Sequence, residues 1–139
     1  SFVPACLIFG RRLLTMKLNS KDQEVVNGFF RHYVNRSHKT VMNAVRLSAE
    51  HTDEHRRSIF EVCNALLTAG IPFWTEVRLD CGCIPDIVCP THVKPIIEVL
   101  CSETPQMFEE LKLHKYPVEL QSKFIFVNAK VPFEERFIW

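Results

Sequence analysis

Two carboxylates have the setting for chemistry: Asp86 in Ile84-Pro-Asp-Ile-Val88, and Glu98 in Ile96-Ile-Glu-Val-Leu100. Each is flanked by apolar residues with reason to be buried. Eleven residues separate them, enough to leave one strand, turn and enter the next. On paired strands both carboxylates can point to one place. There they repel, and both do not ionise without a cation. A hard divalent ion, Mg²⁺ or Mn²⁺, resolves the conflict because it prefers oxygen ligands. Such an ion activates water and offsets charge on a phosphoryl group. A plainer reading makes Pro85-Asp86 a turn and Glu98 the partner of a core arginine, and spacing alone leaves both readings open.

The elements that must position these residues follow from pattern. Ser20 with Gln23 gives a capping-box start, and Val25, Val26, Phe29, Phe30, Tyr33 and Val34 recur at helical spacing. A second, weaker helix is expected over Thr40–Ala49. Thr52-Asp53 offers another N-cap before a helix carrying Ile59, Phe60, Cys63, Leu66 and Leu67 on one face. Gly70 ends it and Pro72 prevents its resumption. Strands are expected at Phe73–Leu79, Ile84–Cys89, Ile96–Cys101 and Lys123–Ala129, with a turn around Gly82. Thr104-Pro105 opens a helix over about Gln106–His114. A crossover helix before the last strand requires part of the sheet to be parallel. The first two strands read as a hairpin, so the sheet is mixed.

At 139 residues the chain reads as one domain. The expected division is an N-terminal appendage over 1–19, a helical part over 20–49, a core over 50–129 and a tail over 130–139. About half the residues are apolar, at 47%, which suffices for a core. A net charge of +1 gives no bulk signal for nucleic acid, so such a site must come from local clustering of basic residues. The clustered candidates are Arg31, Arg36, His38, Lys39, Arg46, Arg56 and Arg57. No apolar run reaches membrane-spanning length. Phe2–Phe9 has its arginines after the apolar run, unlike a signal peptide. Met16 offers an alternative start. A soluble, intracellular chain with no membrane partner is expected.

Helix–strand–strand–strand–helix–strand, with Pro-Asp in the second strand and Glu in the third, resembles the PD-(D/E)xK nuclease superfamily. That group includes restriction endonucleases and archaeal Holliday-junction resolvases. The resembling pieces are Thr75-Glu-Val77, Ile84-Pro-Asp-Ile-Val88, Ile96-Ile-Glu-Val99 and Lys112-Leu-His-Lys-Tyr-Pro117, and they cover residues 50–129. The resemblance implies an α/β fold: a mixed central sheet in an αβββαβ nuclease-like core, with extra N-terminal helices. It implies a Mg²⁺- or Mn²⁺-dependent deoxyribonuclease. Asp86 and Glu98, with the Val99 backbone carbonyl, would hold the metal. DNA is the implied partner, and a homodimer is open because many nucleases of this fold pair to cut both strands.

The chain departs from the family pattern where a lysine should follow Glu98 by two residues: Leu100 stands there. Some members take this lysine from the following helix, which makes Lys112 the first candidate, Lys115 the second and Lys94 the third. Solvated surface lysines are the plain alternative. Such folds also use an acidic residue of the first core helix, so Glu54 is preferred over Glu61, and Glu76 is a further strand carboxylate. The departure supports a rival expectation, a catalytically inactive nuclease-fold module that binds nucleic acid or a protein. Of the six cysteines, Cys81, Cys83, Cys89 and Cys101 offer a weak zinc set, since one residue between the first two is tight for a knuckle.

Overall fold

The computed structural model describes residues 17–37 and 39–131. The expected appendage and tail lie almost wholly outside these residues, as does His38.

Helix α1 spans Ser20–Tyr33. Its N-cap is Asn19 rather than Ser20: the Asn19 side chain accepts the Asp22 N–H at 2.8 Å. Asparagine caps as well as serine, and one residue earlier it leaves Ser20 inside the first turn. Helix α2 spans Asp53–Thr68, capped by Thr52 through the His55 N–H at 3.1 Å. Its end is a Schellman turn. Ile71 N–H donates to Leu66 O, Gly70 N–H donates to Leu67 O, and Gly70 adopts φ +74°.

The helix expected over Thr40–Ala49 does not form; this part of the chain is extended and turned. Tertiary hydrogen bonds to the neighbouring strand replace the helical ones. Asn43, at φ +60°, exchanges bonds with Phe73: its N–H donates to Phe73 O, and its side chain accepts the Phe73 N–H. Thr75 Oγ1 donates to Ala44 O and accepts the Arg46 N–H. The segment thereby covers an edge that would otherwise stay unpaired.

Four strands follow: β1 Trp74–Thr75, β2 Ile87–Val88, β3 Ile96–Leu100 and β4 Phe124–Asn128. Their order in the sheet is β1-β2-β3-β4. The first two pairings are antiparallel and β3–β4 is parallel. The mixed sheet is as expected, but β1 and β2 are shorter. Glu76 at φ +57° ends β1, and Pro85, with no N–H to give, precedes β2. Helix α3 spans Pro105–Leu111, capped by Thr104, and makes the crossover to β4. It ends earlier than expected: Lys112 is its C-cap, and Leu113–Lys115 is a separate 3₁₀ turn.

The sheet separates two cores. On one face α1 and α3 cover Trp74, Val88, Ile96, Leu100 and Phe124. On the other, α2 covers Phe73, Ile87, Ile97, Val99 and Val127. Period-two alternation along β3 sends Ile97 and Val99 to α2 and Ile96 and Leu100 to α1 and α3. Glu98 shares the parity of Ile96 and Leu100. Among the described residues no helix is long and apolar enough to cross a membrane.

The sheet centre should dominate stability. Ile87→Ala, at a fully buried site, is expected to cost about 2–5 kcal/mol, whereas Val93→Ala, 80% exposed, should change little. Urea denaturation of both variants checks this.

Candidate functional site

The register of β2 and β3 sets the geometry of the two carboxylates. Ile87 pairs with Ile97, and Val88 with Ile96. Continued by one residue, the same register puts Asp86 opposite Glu98. The Cys89 N–H donates to Pro95 O at 2.7 Å, which makes 89/95 a hydrogen-bonded pair and fixes the phase of the ladder. Asp86 itself lies in the bend just before β2, where that phase, if continued, would make 86 and 98 the non-hydrogen-bonded type of pair, in which side chains lie closest.

Pro85 falls opposite Val99 and cannot donate to its carbonyl. The Val99 N–H donates instead to Asp86 Oδ2 at 2.7 Å. The same oxygen lies 3.3 Å from His55 Nε2, and both side chains are nearly buried, at 16% and 10% exposure. Asp86 therefore joins the two faces of the sheet, with Glu98 on the α1/α3 side and α2 on the other.

Glu98 is held in an environment that disfavours its charge. Burial raises its pKa well above the usual carboxylate range, the Asp86 charge raises it further, and the Tyr116 hydroxyl opposes the shift. That hydroxyl donates to Glu98 Oε1 at 3.2 Å. Burial first, and then the Glu98 charge, raise the pKa of Tyr116 itself, so it remains a neutral donor. A buried carboxyl beside a second carboxylate is a donor set that a divalent cation suits.

Glu98 opens onto a cleft of about 390 Å³ lined also by Cys81, Cys83, Phe108, Lys112, Lys115 and Tyr116. Two of the three candidate lysines are therefore at the cleft. Lys112 Nζ is paired with Glu103 Oε1 at 2.8 Å and lies over the Phe108 ring. Lys115 makes no ion pair with a described residue, and its charge reaches the Cys83 thiol. Lys94 lies in the turn before β3, its N–H bonded to His92 Nδ1. Leu100, where the family pattern has lysine, is 2% exposed and packed in the core.

Glu54 lies exposed in the first turn of α2. Glu61 is half-buried further along that helix, and Glu76 sits at the bend after β1. The four cysteines offered as a zinc set do not converge. Cys81 and Cys83 neighbour each other in the turn, Cys89 lies with Cys63 under α2, and Cys101 lies beside Thr52. Hairpin and strand carry them to different faces. Burial pushes the thiols of Cys63 and Cys89 up to about 12.

The basic residues also divide. Arg31 and Arg36 line a groove of about 420 Å³ beside the end of α1. Arg57 pairs with Asp53 at 2.8 Å. Arg56 is structural, its guanidinium donating to the carbonyls of His51 and Ser48. Three residues of the site were not anticipated: His51, His55 and Tyr116. A signal for the histidines exists in their spacing of four across the Thr52 cap, and Tyr116 lies inside the Lys112–Pro117 run.

Comparison with known protein families, curated proteins and solved structures finds no match to this chain.

The raised pKa of Glu98 has a consequence for stability. The folded chain holds this proton to higher pH than the unfolded chain does. Stability therefore falls as pH rises from about 4.5 through the raised value. In EDTA, Glu98→Gln should flatten that decline and be more stable than the wild type at neutral pH. Urea midpoints measured across pH check it, and identical profiles for the two proteins would refute it.

Proposed function

We propose that the chain is a divalent-metal-dependent nuclease that hydrolyses phosphodiester bonds of DNA. The observation that supports this reading is the β2–β3 register, which, continued one residue past the end of β2, brings Asp86 opposite Glu98 in a mixed sheet with a helical crossover. The resemblance to PD-(D/E)xK nucleases supplies the reaction class. Asp86 and Glu98 would hold Mg²⁺ or Mn²⁺. The Val99 carbonyl, facing a proline that cannot donate to it, is available as a third oxygen. The ion, when bound, lowers the pKa of a coordinated water and offsets charge on the phosphate.

The chain's own residues supply the rest. The Val99 N–H orients the Asp86 carboxylate, and the Tyr116 hydroxyl orients Glu98. A cation from the α3 end of the cleft takes the place of the motif lysine: Lys115, which has no described ion-pair partner, or Lys112 once released from Glu103. Either would balance charge developing on the phosphate. Arg31 and Arg36, in the groove beside the end of α1, would track a phosphate backbone. Glu54, at the start of α2, is the acidic residue of the first core helix. A homodimer would allow both strands to be cut.

Two observations favour a second reading, a nuclease-fold module that binds nucleic acid or protein without cutting. Leu100 is committed to the core, and Lys112 is committed to Glu103.

The test is cleavage of duplex, single-stranded and branched DNA with Mg²⁺ and with Mn²⁺. Asp86→Ala should lower the rate by about 10²–10³-fold or more while leaving a cooperative unfolding transition. Lys112→Ala and Lys115→Ala, assayed separately, assign the cation. Wild-type cleavage by Asp86→Ala would overturn the mechanism. DNA binding with no cleavage under either metal would establish the second reading instead.

A further inference from the structure

On the α2 side of Asp86 lies a second constellation that the proposed nuclease chemistry does not use. His51, His55 and Asp86 each offer one ligand atom, and these atoms all lie within 4.8 Å of one another. We infer that His51, His55 and Asp86 form a site for a transition-type divalent cation such as Zn²⁺, separate in ligand chemistry from the Asp86–Glu98 oxygen pair.

Four observations support it. The donor set is two imidazole nitrogens and one carboxylate oxygen. Imidazole suits Zn²⁺ and its first-row neighbours, whereas Mg²⁺ favours oxygen and water. Two histidines and a carboxylate with an open position is also the ligand count of hydrolytic zinc centres.

One of the three separations already matches that of ligands on one ion, and all lie within 4.8 Å. Tetrahedral bonds of about 2.0–2.1 Å put neighbouring ligand atoms about 3.3 Å apart. His55 Nε2 and Asp86 Oδ2 are 3.3 Å apart.

One nitrogen is unaccounted for by the protein. His51 Nδ1 is buried and has no hydrogen-bond partner among the described residues. A buried polar nitrogen without a partner is costly, and a bound cation is one way to satisfy it.

Finally, the ligands are held in place. The His51 and His55 rings are 4.0 Å apart between centroids. The Arg56 guanidinium grips the carbonyls of His51 and Ser48, fixing the loop that carries His51. His55 is set by the first turn of α2, where its N–H bonds the Thr52 cap. Asp86 is set by the Val99 N–H. These contacts belong to the outer layer that orients metal ligands.

The site does not depend on the chain cutting DNA, although it shares Asp86 with that reading. If both sites fill together, Asp86 bridges a histidine-ligated ion on the α2 side and an oxygen-ligated ion on the Glu98 side.

The experiment is equilibrium dialysis of the full chain against ZnCl₂, with and without excess MgCl₂, with elemental analysis of the retained protein. The wild type is expected to retain one Zn²⁺ per chain in the presence of excess Mg²⁺. His51→Ala and His55→Ala should each weaken Zn²⁺ by more than the roughly 10–100-fold that loss of a supporting residue costs a metal site. Glu98→Gln should retain Zn²⁺, which separates this site from the acidic pair. A parallel measurement needs no variant: Zn²⁺ should shift the ¹⁵N resonances of the His51 and His55 rings in the wild-type protein. Zinc retained by both histidine variants but lost in Cys81→Ser/Cys83→Ser would place the metal on the thiols and overturn the inference. Unmoved histidine resonances under saturating Zn²⁺ would overturn it too. DNA cleavage enters none of these readouts, so failure here and failure of the nuclease reading are distinguishable.

Discussion

The hydrogen bond from the Val99 N–H to Asp86 Oδ2 joins the sheet to its polar centre. Opposite Val99, Pro85 has no N–H to give the Val99 carbonyl, and the Val99 N–H donates to the carboxylate of the next residue rather than to the ladder. A hydrogen bond to a charged acceptor contributes about 1.5–3 kcal/mol, so the missing ladder bond is offset locally. Its consequence is geometric: Asp86 is held at the end of the ladder, between Glu98 on one face and His55 on the other.

Around that point the polar groups are enclosed by two apolar cores. Ile87, Ile97 and Val99 seal the α2 side, and Val88, Ile96 and Leu100 seal the other. Enclosure raises the pKa of Glu98 and makes the Tyr116 hydroxyl more than a packing detail, since it is the neutral donor that partly satisfies a buried carboxyl. It also explains why Leu100 is not a simple vacancy in a motif. On this backbone, position 100 points into the layer filled by α1 and α3, and a leucine serves that layer. The cations of the region lie instead at the cleft mouth, where long side chains from the end of α3 remain hydrated.

Much of this was readable in advance. The mixed sheet, the crossover helix and the placement of Glu98 on a central strand follow from apolar runs, turn residues and a proline-opened helix, whereas Asp86, expected in the second strand, lies in the bend just before β2. The capping threonines at 52 and 104 and the glycine at 70 marked their helix ends correctly, because caps are local. The expected helix at Thr40–Ala49 failed for the opposite reason. Its helical propensity is weak, and hydrogen bonds linking Asn43, Ala44 and Arg46 with Phe73 and Thr75, some 30 residues away, decide its path. The strands were overextended because hydrophobic runs show burial but not pairing. Phe73–Leu79 is mostly buried, yet only Trp74 and Thr75 pair with β2.

The sequence by itself determined which residues carry charge into an apolar neighbourhood: Asp86 and Glu98, each within a run that must be buried. It also set both ends of α2, the start of α3 and the sheet's parallel component, through periodicity and local capping. Only the tertiary structure decided what surrounds them. The register brought Asp86 opposite Glu98, the cap at Thr52 swung His55 onto Asp86, and Arg56 fixed the loop that sets His51 beside it. Asp86 lies 12 positions from Glu98, 31 from His55 and 35 from His51 in the chain. No local pattern encodes such distances, because they are set by how two cores pack against one sheet.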